Sequence, residues 1–201
     1  MEEMIKKDFL VASLNESAQT KLDMIDACGE EILAAIDLMV SSFRAGKKLL
    51  LCGNGGSAAD AQHLATEFVI RLNHELSRPA IPAIALTTDT SNLTAGGNDI
   101  GFDNVFARNV EALGAEGDIL YAISTSGNSP NVVKAVEMAR KKGMKVIGML
   151  GGHGGKLKPL VDVAIVIPSG NVQRIQEGHI TAGHIIFELT ELELYSDKIK
   201  G

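Results

Sequence analysis

Residues 48–68 read KLLLCGNGGSAADAQHLATEF, and this stretch contains the three kinds of segment from which the fold is built. The run 48–52 is continuously apolar after its first residue, which is typical of a strand covered on both faces. A turn rich in glycine follows at 53–57, and the apolar residues of 58–72 then recur at helical spacing. The stretch therefore predicts a buried strand, a tight turn and a helix.

The same order of segments recurs along the chain. Further apolar runs lie at 81–86, 119–124, 145–150 and 163–167, and helical patterns lie between most of them. This alternation predicts an α/β fold, in which a doubly wound, parallel, five-stranded sheet is flanked by helices.

The segment 1–45 has a different pattern, with apolar residues at helical spacing and a break near Cys28-Gly29. The pattern predicts two helices, one on each side of this break. Because the 201 residues contain no linker and no internal repeat, we expect one domain over 1–201.

The composition excludes several classes of protein. The 19 Lys+Arg residues against 25 Asp+Glu give a net charge of −6, and the lack of a long basic run argues against nucleic-acid binding. Two cysteines without a CxxC spacing favour a reducing cytoplasm over a disulfide framework. No segment approaches the roughly 18 apolar residues of a membrane span, so we expect an unprocessed cytoplasmic protein that does not contact the membrane.

Ligands of such sheets bind beyond the carboxyl ends of the strands, so the turns there are the candidate ligand sites. The first turn, CGNGGS at 52–57, matches neither G-x-G-x-x-G nor the P-loop, so we expect no nucleotide cofactor. Its glycines would let an anion approach the free amides of the helix start. The alternative is a plain tight turn with Ser57 as the N-cap.

A second turn, STSGNSP at 124–130, favours phosphate binding more strongly. Ser129 suits the N-cap and Pro130 the first helical position of the next helix. Four hydroxyl groups gather at this helix start, a neutral donor cluster suited to a phosphate monoester. They belong to Ser124, Thr125, Ser126 and Ser129.

A third junction runs from 87 to 92 and continues to 96–99. It is long and polar for a connection within a compact domain, which favours ligand contact over a solvated turn.

Two pairs of side chains could carry chemistry. His63 and Glu67 are spaced i, i+4 on the helix after the first turn, so imidazole and carboxylate can converge on a metal or a substrate. Gln176 and His184 lie eight residues apart on the C-terminal helix and can line one groove. Spacing alone does not choose among partners, because His179 is also a candidate and His184 forms another i, i+4 pair with Glu188.

Four motifs in this order resemble one family. They are CGNGGSAADAQHLATEF at 52–68, NDIGFDNVF at 98–106, ISTSGNSPNVVKA at 123–135 and RIQEGHITAGHIIFELTE at 174–191. Together they closely resemble the phosphoheptose isomerase family of the sugar isomerase (SIS) fold, over about residues 5 to 195. This combination is far more specific than any one of the motifs.

The resemblance implies an enzyme that converts D-sedoheptulose 7-phosphate to D-glycero-D-manno-heptose 7-phosphate, which feeds synthesis of the lipopolysaccharide core or other cell-surface heptoses. It also implies which residues contact the phosphate and the sugar. These are Asn54, Gly55, Gly56, Asn98, Asp99, Ser124, Thr125, Ser126 and Ser129.

Members of the family often hold one zinc ion per subunit, and the matching ligands here are His63, Glu67, Gln176 and His184. The family is tetrameric with sites at subunit interfaces. The resemblance therefore implies a homotetramer, in which the two helices of 1–45 form an N-terminal helical hairpin that packs on the domain and on partner subunits. It also implies that His63 and Glu67 face Gln176 and His184 from different chains.

The chemistry of a ketose–aldose conversion limits the roles. A base must remove a proton from C1, an enediol forms, and a proton returns at C2. We expect Glu67 to be this base, Gln176 to contact the substrate and His184 to handle the oxygen protons. Zinc would polarise or orient the sugar oxygens. Glu67 cannot be a tightly held zinc ligand and a free base at the same time.

Two further observations bear on these roles. Glutamine is an unusual zinc ligand, and Gln173 stands where many relatives have an acidic residue before Arg-Ile-Gln. The SIS fold also includes non-catalytic proteins that associate with the DnaA initiator, and isomerases of other sugar phosphates. The set His63, Glu67, Gln176 and His184 favours the heptose enzyme.

Overall fold

The structure is a computed structural model that describes residues 3–195. Within this range the helices and strands are α1 (Glu3–Arg44), β1 (Leu49–Cys52), α2 (Gly56–Val69), β2 (Ala83–Ala85), α3 (Thr90–Asp99), α4 (Val105–Leu113), β3 (Ile119–Ser124), α5 (Pro130–Lys141), β4 (Lys145–Gly151), β5 (Val163–Ile167) and α6 (Val172–Tyr195). Single turns of 3-10 helix also lie at Phe102–Asn104 and Lys158–Leu160.

The strands form one parallel sheet in the order β2-β1-β3-β4-β5. Helices cover both faces, and each face has its own apolar cluster. Odd positions of β3, such as Tyr121, pack under α1, α2 and α6, whereas even positions, such as Leu120, pack under α4 and α5. The predicted doubly wound, five-stranded parallel sheet is therefore confirmed.

The N-terminal segment is helical with a break at Cys28, whose φ of −151° and ψ of 16° are not helical. The hairpin geometry is corrected, because the two parts form one kinked helix that follows α6 from start to end. Ser13 O accepts a 2.9 Å hydrogen bond from Arg174 near the start of α6, and Arg44 lies 3.6 Å from Glu193 near its end. No turn interrupts α1, so it does not fold back; residues 1 and 2 lie outside the described residues.

The third polar junction is shorter than predicted because most of it is α3. The Asp89 carboxylate accepts a 3.0 Å hydrogen bond from Asn92 N, which caps the helix. None of the described side chains of α3 is buried, so the spacing of apolar residues did not predict this helix.

Two expectations about membranes and thiols can be compared with the structure. Within residues 3–195, the helices lack the combination of length and apolar character that membrane crossing requires. Cys28 and Cys52 are both buried and free.

Asp118 joins segments at the amino edge of the sheet. Its carboxylate is buried, pairs with the Lys48 ammonium group and accepts hydrogen bonds from Ala115 N (2.8 Å) and Lys48 N (3.1 Å). Burial alone would raise the pKa of Asp118, but these hydrogen bonds and the charge of Lys48 hold it below its usual value. Ionised Asp118 therefore stabilises the fold.

We predict that Asp118→Asn lowers the free energy of unfolding at pH 7 by roughly 1–3 kcal/mol, because buried donors lose their charged acceptor. A lowered folded pKa means that this stabilisation is complete above the unfolded pKa of about 3.9 and is lost as the pH falls through the folded pKa. Urea unfolding of both proteins at a series of pH values measures the difference. A difference that stays constant from pH 7 to pH 3 would contradict this account.

Candidate active site

Two of the predicted ligand turns lie side by side at the centre of the sheet. β1 and β3 are parallel neighbours, and the chain order along the sheet reverses between them. The turns after these strands, 53–55 and 125–129, therefore meet at the switch point where open α/β sheets bind ligands. The sequence analysis placed the chemistry at this edge of the sheet.

The turn after β1 depends on its glycines. Gly55 is the N-cap of α2 and has a φ of +57°, a conformation that side chains disfavour. At Gly56 a Cβ atom would lie 2.5 Å from Gln176 Nε2, so the absence of a side chain there lets the Gln176 amide rest against the start of α2. Ser57 is a buried residue inside α2, so the alternative that made Ser57 the N-cap is wrong.

The turn after β3 gathers the predicted hydroxyl groups. The side-chain oxygens of Ser124 and Ser129 lie 3.0 Å apart and share a hydrogen bond, and Ser126 Oγ accepts a 3.1 Å bond from Asn128 N. Ser129 is the N-cap of α5 and Pro130 follows it, as predicted, but the Ser129 hydroxyl contacts Ser124 and makes no capping bond. Pro130 has no N–H group, and Val132 N already donates to Asn131 Oδ1 (3.0 Å) and Ser129 O (3.1 Å), so the hydroxyl groups are the main donors that this turn offers to an anion.

Asn131 is a residue of this region that the sequence analysis did not identify. It is buried in the first turn of α5, and it exchanges two amide hydrogen bonds of 2.8 and 2.9 Å with Asn54. The Asn54 side chain, predicted to contact the substrate, is thus engaged with Asn131. This reciprocal pair fixes the two turns relative to each other.

A pocket of about 340 Å³ opens beside the hydroxyl-rich turn, between the carboxyl ends of β3 and β4. Thr125 and Ser126 line one side of it, and Gly152 and His153 line the other. This volume lies in the range of small-molecule sites.

Asn98 and Asp99 lie at the exposed C-terminal end of α3, and Asn98 Nδ2 donates a 2.7 Å hydrogen bond to Asp99 Oδ1. Among residues 3–195 neither side chain hydrogen bonds to the two turns. The single chain therefore does not join this predicted pair to the turns at 53–55 and 125–129.

The histidine and glutamate candidates converge in another part of the site. His63 Nε2 lies 2.8 Å from His184 Nε2 and 3.3 Å from Glu67 Oε1. One ligand atom from each residue lies within 4.8 Å of the other two. The expectation that His184 reaches His63 from a different chain is corrected, because α2 and α6 of one chain pack against each other.

These three residues fit a metal ion by their chemistry. Two imidazoles and a carboxylate, a donor set known in zinc enzymes, point their ligand atoms at a common centre. Two Nε2 atoms at 2.8 Å either share one proton or both present lone pairs, and the second state is the one that binds a cation.

Gln176 and His179 occupy other positions on α6. The amide of Gln176 faces Gly56 at the start of α2, and Gln176 precedes His184 by eight residues, about 12 Å along a helix axis. His179 is buried, and its Nε2 lies 2.9 Å from Leu150 O. Burial lowers the pKa of His179 to about 4, so this ring is a neutral group of the core, and its Nδ1 has no hydrogen-bond partner among the described residues.

The fold and the site together define the class of the protein, and comparisons with known proteins give its family. The family model for the SIS domain matches residues 14–151, so this is a SIS-domain protein. Phosphoheptose isomerase of Chlorobaculum tepidum is 56% identical over 176 residues, 87% of this chain and 84% of that protein. The chain belongs to the phosphoheptose isomerase family, as its motifs predicted.

Solved structures agree with this assignment. Phosphoheptose isomerase from Neisseria gonorrhoeae has a TM-score of 0.85 at 42% identity, with 92% of this chain and 97% of that chain covered. The enzyme from Francisella tularensis has a TM-score of 0.88 at 40% identity, with 92% and 98% covered.

We predict that Asn131→Ala weakens the binding of inorganic phosphate by roughly tenfold, because the two turns lose the amide pair that fixes them. Isothermal titration calorimetry measures the affinity, and circular dichroism checks the fold. Asn109→Ala is a matched control, since it breaks a similar reciprocal pair between Asn92 and Asn109 in α3 and α4. Equal phosphate affinity in wild type and Asn131→Ala would show that the pair does not organise an anion site.

Proposed function

We propose that this protein is an aldose–ketose isomerase that converts D-sedoheptulose 7-phosphate to D-glycero-D-manno-heptose 7-phosphate through an enediol. The observation that carries the proposal is the cluster of His63, Glu67 and His184 in a chain that also holds a turn rich in hydroxyl groups. Proton transfer needs the first feature, and recognition of a phosphate monoester needs the second. Family membership supports the same reaction.

The phosphate is held by neutral donors at two helix starts. The hydroxyl groups of Ser124, Thr125, Ser126 and Ser129 and the turn at Asn54, Gly55 and Gly56 supply these donors. Helix dipoles of α2 and α5 place partial positive charge at the same point. Asn98, Asp99 and Gln176 provide polar groups for the sugar hydroxyls.

Glu67 and His184 divide the proton transfers between carbon and oxygen. The Glu67 carboxylate takes the proton from C1 and returns it to C2. His184 takes the proton from the C1 hydroxyl and supplies one to the C2 oxygen, so C1 becomes the carbonyl and C2 the alcohol. The 3.3 Å contact between Glu67 and His63 orients the carboxylate for this task.

The same cluster would hold a zinc ion through His63, Glu67 and His184. Gln176, the fourth predicted ligand, faces Gly56 about 12 Å along α6 from His184, so within one chain it does not belong to this cluster. Bound zinc would act as a Lewis acid toward the sugar oxygens. Glu67 has two carboxylate oxygens but cannot bind a metal tightly and accept a proton with the same one. Glu67 would therefore act as the base only while it does not hold the metal tightly.

The phosphate-binding turns and the proton-transfer cluster of one complete site belong to different subunits in this proposal. Within one chain Glu67 follows Gly56 by 11 residues, about 16 Å along the axis of α2. A second copy of the chain would supply the nearer cluster. This arrangement agrees with the homotetramer, with sites at subunit interfaces, that the family resemblance implies.

The exposed apolar surface supports association. α1 and α6 leave large hydrophobic side chains in solvent, and contiguous apolar surface of this kind is typical of interaction sites. On α1 these include Met4, Ile5, Phe9, Leu10, Val11, Leu14, Leu22, Ile25 and Leu33; on α6 they include Val172, Ile185 and Leu189. The 1–45 segment would thus pack on partner subunits as well as on its own single domain.

Turnover of D-sedoheptulose 7-phosphate, compared with hexose and pentose phosphates, tests the proposed function. We expect the heptose substrate to be preferred and the reaction to move hydrogen from C1 to C2 or exchange it with solvent. Turnover of another sugar phosphate alone would assign a different isomerase. Capture of the DnaA initiator protein without any turnover would assign the non-catalytic class.

The two cysteines bear on the cellular setting of this reaction. Both are free and buried, and free thiols stay reduced in the cytoplasm. We therefore place the reaction in cytoplasmic heptose synthesis, including that of lipopolysaccharide.

We predict that Glu67→Gln reduces kcat by about 10²–10⁴-fold, because the base loses its ability to accept a proton, while substrate affinity changes little. Steady-state kinetics and calorimetry measure the two quantities. Glu188→Gln is the matched control, since Glu188 forms the other i, i+4 pair with His184 but is exposed. Near-normal rates in Glu67→Gln would remove the base assignment.

A second prediction concerns the assembly. The double substitution Phe9→Ser and Leu14→Ser should convert a tetramer to smaller species and reduce activity, because both side chains are exposed apolar groups of α1. Size-exclusion chromatography with light scattering measures the mass, and circular dichroism checks that α1 persists. A wild-type protein that is monomeric and fully active would exclude sites shared between subunits.

A further inference from the structure

Arg78 is a buried arginine outside the predicted site. It lies in the connection between α2 and β2, yet its side chain is only 1% exposed. Its partner in an ion pair is Glu191 of α6, which is 0% exposed. Two opposite charges are thus enclosed between the helices that carry the catalytic candidates.

The guanidinium group binds the end of α2. Arg78 Nη2 donates a 2.8 Å hydrogen bond to the backbone carbonyl of Glu67, and Nη1 donates a 2.8 Å bond to that of Phe68. The last carbonyls of a helix lack partners within the helix, so an arginine at this point completes the helix end. The position of the Glu67 backbone is therefore fixed by Arg78.

The guanidinium group of Arg78 also binds α6. Arg78 Nε pairs with Glu191 Oε1, and Glu191 Oε2 accepts a 3.1 Å hydrogen bond from Asn73 N. Glu191 follows His184 by seven residues, so the two side chains lie on nearly the same face of α6. One ion pair thus connects the backbone of Glu67 with the helix face of His184.

Stability alone is a poor explanation of this pair. Burying two charges costs several kcal/mol of desolvation each, and apolar pairs of similar volume are often as stable. The helices already pack through apolar groups, since the rings of Phe68 and Phe187 stack with centroids 4.0 Å apart. What the ion pair adds is directional bonds that define where the last turn of α2 lies on α6.

We propose that Arg78 and Glu191 are positioning residues for the isomerase reaction, and that they hold Glu67 in place opposite His184. This inference rests on the proposed function of Glu67 and His184. It concerns the geometry of the cluster, and a misplacement of about 1 Å at a reacting group can cost about 10²-fold in rate.

The decisive variant replaces the ion pair by an apolar pair, Arg78→Met with Glu191→Leu. Arg78→Met alone leaves a buried carboxylate unpaired and is expected to lower the Tm and kcat together. In the double variant we expect the Tm to rise above that of Arg78→Met because no buried charge remains, and to stay below that of wild type because the carbonyls of Glu67 and Phe68 have lost their donor. We expect kcat to stay about 10- to 100-fold below wild type with KM within about threefold, because the Glu67 carbonyl has lost its donor.

Two further variants separate positioning from stability. Asp118→Asn breaks the ion pair between Asp118 and Lys48, neither of which belongs to α2 or α6, so it should lower the Tm and leave kcat unchanged well below the Tm. Arg78→Lys keeps the charge but cannot make the planar set of bonds, so its kcat should lie between those of wild type and the double variant. Recovery of wild-type kcat together with the Tm in the double variant would overturn the proposal.

A crystal structure of the double variant tests the inference without any turnover. We expect the Glu67 carboxylate to move by about 1 Å or more relative to His184 when wild type and variant are compared under the same conditions. An unchanged arrangement would overturn the positioning role. Lack of isomerase activity in wild type would instead contradict the proposed function, and the crystallographic comparison would still decide the role of Arg78 and Glu191.

Discussion

The close packing of α2 on α6 is the contact on which the candidate site depends. A Cβ atom at Gly183 would lie 2.9 Å from Leu64 Cδ1, so the absence of a side chain there lets the helices approach. At the start of α2, Gly56 leaves room for the Gln176 amide of α6. Along the same contact, His63 and Glu67 of α2 lie next to His184 of α6.

A parallel sheet explains why the helices can meet in this way. α2 follows β1 and α6 follows β5, and both helices run antiparallel to the strands on the same face of the sheet. Both helix starts therefore lie at the edge where the strands end, beside the turns at 53–55 and 125–129. The buried Arg78 and Glu191 complete the contact at the far ends of these helices.

Most of the fold could be predicted from the sequence because its signals are local. Continuous apolar runs showed strands covered on both faces, and the turn residues after β1 and β3 marked the binding edge. α3 was missed because its stability comes from a polar cap and not from an apolar face. The course of α1 was also missed, since a break at Cys28 looks the same in sequence whether the chain kinks or reverses.

Spacing predicted which side chains of one helix lie together, but it did not predict which side chains of two different helices meet. The i, i+4 spacing placed His63 beside Glu67, but spacing left His184 with Gln176 or Glu188 as equal partners, and the packing of α2 on α6 decided for His63. Asn131 and Arg78 had no local signal. Each acts on a residue far away in sequence, Asn54 and Glu191 respectively, so only the folded chain shows the pairing.

X-ray diffraction at the zinc absorption edge, on crystals of the purified protein, tests the central claim most directly. The account predicts one anomalous peak per chain, held by His63, Glu67 and His184 of that same chain. A peak bound elsewhere, or one at which His63 and His184 belong to different subunits, would contradict it.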